Sequence, residues 1–173
     1  MRRMALSAAH RRLLIVDLGV GAALFNFALN AGIAWLLFRS LARVPLWGDS
    51  SVAGDTLITA FVLPFLTSLI VSRTVHRQVS GGRIPRLATA DPALASFAKR
   101  SPSARGALLG AASVVLVAVP VVAALGGSGF EGFALWPFIG FKAAFAACLA
   151  ALVTPLVGWW ALVRASREGA SSF

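Results

Sequence analysis

The sequence predicts an all-α membrane protein, a bundle of four transmembrane helices with both termini in the cytoplasm. Three observations predict it. Of the 173 residues, 58% are hydrophobic and only 13% are charged, and the mean hydropathy is +0.83. A soluble domain is nearer a quarter charged. Four apolar stretches, at about 13–38, 56–72, 106–125 and 137–163, approach or exceed the roughly 20 residues that carry a helix across a hydrocarbon core. The basic residues lie between these stretches with a marked asymmetry. Residues 1–173 therefore read as one integral membrane domain with a basic cytoplasmic loop at 73–105.

The first span follows the basic lead MRRMALSAAHRR. Its apolar run is longer than the core of a secretory signal and contains Asp17, Asn26 and Asn30, so it reads as an uncleaved anchor. The loop VPLWGDSSVAGDT offers Trp47 as an interfacial anchor, with Asp49 or Ser50 as a cap for an early start of the second span, through Val52 and Ala53. In the middle loop, DPALASFAKRSP has the signature of a short helix lying on the membrane surface: Asp91 as cap, Pro92 in the first turn, Lys99 and Arg100 in the last, Pro102 as terminator. An ordinary solvated turn fits the same residues. The third span opens with a GxxxG in GALLG. The fourth is long enough to require tilt or projection. Trp136 opens it and Trp159 and Trp160 close it, as in an aromatic belt.

Orientation follows from charge. Arg2, Arg3, Arg11 and Arg12 precede the first span; Arg73, Arg77, Arg83, Arg86, Lys99, Arg100 and Arg105 lie between the second and third; Arg164 and Arg167 follow the fourth. The other side has Arg39, Arg43 and the shallow Lys142. Cytoplasmic loops carry the excess of Lys and Arg. The heavy use of Arg over Lys, with abundant Ala, Gly, Val and Leu, resembles a GC-rich bacterial coding sequence, and the expected location is the bacterial inner membrane.

Each span carries a stripe of small or polar residues at helical spacing: Gly19, Ala23, Asn26 and Asn30; Thr56, Thr59, Leu63, Thr67 and Thr74; Gly106, Gly110, Ser113, Val117 and Ala124; Ala143, Ala147, Ala150, Thr154 and Gly158. Small residues permit close approach, and amides can then bond across the gap. The simplest arrangement turns all four stripes inward. Pro64, Pro120 and Pro155 each free a backbone carbonyl inside a span, with Thr67 and Thr154 near enough in sequence to help satisfy the local backbone.

Depth suggests a site. At 1.5 Å per residue, Asn26 falls near the midplane, and Asn30, Thr59 and Lys142 fall at comparable depth in the outer half, with Asp55 slightly further out. Charged residues inside a span default to a functional hypothesis. The expected site is an outward-facing polar pocket of Asn26, Asn30, Asp55, Thr59 and Lys142, with Asp55 the counter-ion of Lys142. The alternative is that Lys142 snorkels to the headgroups while Asp55 caps its helix. Asp17, near the cytoplasmic end of the first span, has Arg73 and Arg105 at similar depth and is expected to form an interfacial salt bridge.

The chemistry is sparse. Cys148 is the single cysteine, and His10 and His76 are far from any second ligand, so no metal site and no cofactor are expected. No paired carboxylates or nucleophile–base sets lie in the spans, and an enzyme is not expected. The net charge of +10 is accounted for by membrane orientation, without nucleic acid as a partner. The basic face should attract anionic lipid by about 1 kcal/mol per nearby residue. Two functional classes remain. One is a non-enzymatic scaffold, regulatory or accessory protein, alone, as a homo-oligomer or within a larger membrane complex. The other is an oligomeric small-solute permease or channel.

Overall fold

The computed structural model describes residues 7–87 and 100–168. It contains four helices long and apolar enough to cross a membrane: α1 (Ala8–Phe38), α2 (Val52–Ser80), α3 (Pro102–Gly127) and α4 (Leu135–Glu168). The expected surface helix in the middle loop lies outside the described residues.

The first three helices start ahead of their apolar runs because polar caps extend them. Ser51, rather than Asp49 or Ser50, starts α2: its backbone is extended and its hydroxyl accepts the Gly54 N–H at 3.2 Å. Asp55 thus lies in the first turn, where a carboxylate complements the helix dipole. Ser101 caps α3 through the Ala104 N–H, with Pro102 in the first turn. Ser7 and His10 form a reciprocal capping box ahead of α1.

Two segments depart from α-helical winding. Arg12–Gly21 in α1 and Val114–Ala118 in α3 are π-helical. The second directly precedes Val119 and Pro120, where a proline cannot donate its share of the backbone bonds and a wider turn accommodates it. Nothing in the residues of Arg12–Gly21 explains the first.

The helices do not turn their four stripes onto one common axis. The main packing runs α1 on α4, α4 on α2, and α2 on α3. The helix at the centre is therefore the last in sequence, with 61% of its most apolar window buried against 17% for α1. The stripes serve pairwise interfaces. A methyl on Gly110 would lie 2.7 Å from the Phe61 carbonyl, and one on Gly106 would lie 2.9 Å from that of Phe65, so the GxxxG seats α3 directly on the backbone of α2. Gly19 packs near Pro155, and Gly158 receives the Leu18 side chain. Ala143 and Ala150 are fully buried, Ser113 and Thr154 nearly so, and Ala23 and Ala147 are half-buried. The large residues expected to face lipid do lie outside: Leu24, Phe25, Leu37, Ile58, Leu116 and Leu152 are all exposed.

The end of the bundle away from the termini is closed by an element the sequence did not announce. β1 (Arg43–Pro45) pairs antiparallel with β2 (Gly132–Ala134), joining the loop after α1 to the loop before α4. Val44 is wholly buried, and Leu46 N–H donates to the Glu131 carbonyl at 2.8 Å. Beneath the ribbon, Phe38 and Phe138 meet edge to face at 4.7 Å, with Ala34, Leu46, Val52 and Ile139 around them. Gly132 is required here: its φ is 155°, and a Cβ would lie 2.3 Å from the Val44 carbonyl. Gly132→Ala is expected to break the ribbon while leaving the helices inserted. Faster amide exchange at Arg43–Leu46, with unchanged helical circular dichroism, is the measurement; unchanged exchange would remove the constraint assigned to Gly132.

Trp47 and Trp136 are exposed at this ribbon end, as expected for interfacial anchors. At the opposite end Trp159 is half-buried and Trp160 is packed inside, so the second half of the expected aromatic belt belongs partly to the core.

Candidate functional site

Two polar constellations lie at opposite ends of the helices. The first is near the ribbon. Asp55 projects from the first turn of α2, and Lys142 lies two turns into α4, one turn beyond Phe138. The structure brings them together as an ion pair between Lys142 Nζ and Asp55 Oδ1. Their side chains are 4% and 12% exposed. Lys142 therefore does not extend to the surface, and Asp55 does more than cap a helix. A pair so enclosed in a low-dielectric setting is strong electrostatically, but desolvation offsets much of the gain, so its value lies mainly in fixing which faces of α2 and α4 meet.

The other residues expected in this site are placed differently. Asn30 is buried and Asn26 half-buried, but their amide groups bond to their own helix: Asn26 Nδ2 donates to the Ala22 carbonyl at 2.9 Å, and Asn30 Nδ2 to the Asn26 carbonyl at 3.0 Å. The expectation that these amides bond across helices is corrected. An amide four residues along from a carbonyl reaches it without waiting for a neighbour, which removes most of the cost of a polar group in lipid. Thr59 is buried one turn from Asp55. Thr56 likewise bonds back to the Val52 carbonyl at 2.6 Å. Thr154 does not play the expected satisfying role, because its hydroxyl has no partner among the described residues.

The second constellation is at the end carrying the termini. Arg105 is fully buried, and its Nη2 donates to the Ser72 hydroxyl at 3.0 Å. Asp17 is exposed on α1, Arg73 is exposed on α2, and the described residues contain no ion pair between Asp17 and Arg73 or Arg105. The expected salt bridge is thus not formed. The depths matched, but α1 neighbours α4 rather than the start of α3, so the faces diverge. Arg105 instead borders a cleft of about 280 Å³ between α2, α3 and α4, with Ser72, Arg73, His76 and Arg164 around it and Pro102 and Ala161 as apolar wall.

Several polar contacts here were missed from the sequence. Ser68 donates to the Pro102 carbonyl at 2.7 Å, tying α2 to the start of α3. His10 is buried and its Nε2 lies 2.7 Å from the Pro85 carbonyl. The Leu87 N–H donates to the Ser166 hydroxyl at 2.9 Å, fastening the middle segment to α4. Ser68, Ser72 and Ser166 gave no signal, because a serine in a helix is as often bonded to its own backbone.

These features mark a membrane protein with four helices, among the described residues, long and apolar enough to cross a bilayer, a closed ion pair near one end and a basic cleft near the other. No protein-family model matches the chain, and no curated protein and no solved structure is measurably similar to it.

Proposed function

We propose that the chain is a non-enzymatic, multi-pass protein of the bacterial cytoplasmic membrane, with its termini and basic loop in the cytoplasm. In this reading it scaffolds or regulates a larger membrane assembly and engages anionic lipid through its basic end. One observation carries it: the polar groups expected to line an outward-facing pocket are spent on the fold. Lys142 and Asp55 are enclosed against each other, and the Asn26 and Asn30 amides bond to their own helix. Groups that line a solute path must instead remain open to solute and water. The orientation is supported by the charge asymmetry described above, since Arg11, Arg12, Arg73, Arg77 and Arg167 are all exposed at the same end.

Cysteine labelling tests this. In a Cys148→Ala background, Asn26→Cys is expected to resist a membrane-impermeant maleimide added to intact cells. Rapid labelling from outside would favour a permease and overturn the scaffold reading. Reporter fusions at the two termini and in the 39–51 loop are expected to place the termini inside and that loop outside.

A further inference from the structure

Arg105 leaves a chemical demand unmet. It is wholly buried, yet only Nη2 is hydrogen-bonded; Nε and Nη1 have no partner among the described residues. A guanidinium remains charged in proteins. A buried ion with neither counter-ion nor full hydrogen bonding is among the most unfavourable arrangements a fold can contain. Arg73 and Arg164 border the same cleft, and among its described lining residues there is no carboxylate. The start of α3 lies there too, with Pro102 in its first turn, so the positive end of a helix dipole acts in the same direction.

We propose that this cleft binds a phosphoryl anion, with Arg105 as its central ligand, Ser72 orienting the guanidinium, and Arg73 and Arg164 supplying the remaining charge. A phosphoryl group suits the site better than a carboxylate. It carries up to two negative charges and several acceptor oxygens, and it matches planar arginine donors. The volume of about 280 Å³ exceeds that of a single water and accommodates a small headgroup. The phosphoryl group can belong to a lipid headgroup or to a soluble phosphate compound. The inference rests on the proposed function only for the side of the membrane on which the cleft opens.

The test uses the full chain in phosphatidylcholine nanodiscs, following thermal unfolding and ligand binding. One arm adds phosphatidic acid to the nanodisc; the other adds glycerol 3-phosphate or inorganic phosphate to the buffer. Stabilisation in the first arm alone assigns the site to a headgroup, and stabilisation in the second assigns it to a soluble phosphate. Arg73→Gln and Arg164→Gln, each losing a charge-assisted contact, are expected to weaken binding about tenfold or more. Arg105→Gln is expected to abolish the ligand-dependent shift, and the other two variants keep the test decisive if it misfolds. Arg11→Gln with Arg12→Gln removes two charges from the same end but outside the cleft, and should leave binding within about twofold, since screening weakens distant exposed charges. No stabilisation in either arm, or equal loss in the Arg11/Arg12 control, overturns the proposal. Binding is read in nanodiscs open to buffer on both faces, so a reversed topology in cells would overturn the proposed orientation and leave this result intact.

Discussion

Lys142→Met, with Asp55 retained, is expected to lower stability by about 3–5 kcal/mol, because removing one partner of a buried pair leaves the other charge uncompensated. The Asp55 carboxylate lies in the first turn of α2 with only 12% of its side chain exposed, so water cannot take over the role of the ammonium without opening the helix interface. Asp55→Asn alone should show the same direction, with Lys142 stranded. The double variant Lys142→Met with Asp55→Leu should recover most of the loss, since apolar replacement of a whole buried pair is often close to neutral. Unfolding in mild detergent for the three variants and the parent closes the cycle. If Lys142→Met falls within about 0.5 kcal/mol of the parent, as for an ordinary surface substitution, the pair does not hold α2 to α4.

The second large effect is expected at the interface of α2 and α3. Gly110→Val places a side chain where a single Cβ already lies 2.7 Å from the Phe61 carbonyl and 2.9 Å from the Phe61 ring. The obstacle is helix backbone, which cannot rotate away, so α3 must move off α2. Overpacking typically costs about 1–3 kcal/mol, and a rigid neighbour puts this variant at or above the upper figure. Gly158→Ala makes an informative contrast. Its nearest obstacle is the Leu18 Cδ1 at 2.2 Å, the far end of a flexible side chain. A rotamer change relieves that contact at about 0.5–1.5 kcal/mol. The closer contact should thus be the milder substitution. Equal melting temperatures for the two variants would show that backbone contact is not what makes the GxxxG intolerant.

How far the sequence reached depends on which physical signal each feature leaves. The helices were legible because an apolar run long enough to span lipid has few other uses. The pairing of Asp55 with Lys142 was one of two readings the sequence left open, because a lysine near the outer boundary can either pair with a nearby carboxylate or reach the headgroups; the structure has the pair. The bond of Asn26 to Ala22 was not legible, since the same amide can serve a neighbouring helix or its own, and spacing does not distinguish them. The neighbour order was not legible either. A stripe such as Gly106, Gly110 and Ser113 says that something approaches closely, but not which helix does so. The ribbon of Arg43–Pro45 and Gly132–Ala134 is three residues per strand, too short for any alternation to register. The Asp17 salt bridge is absent for the same reason as the neighbour order was hidden, because residues at equal depth need not lie on facing sides of neighbouring helices.

The central position of α4 has a consequence for biogenesis. Ribosomes deliver helices in order, yet α1 has its main packing partner in the last helix to be made. Until then the nascent first segment must wait in the bilayer as a solitary rod, its asparagines quieted by the carbonyls one turn behind them. The self-contained amides thus make the early chain tolerable to the membrane while assembly is pending. Arrival of the final segment then seats its predecessors together and allows the small ribbon to clasp the two distant loops.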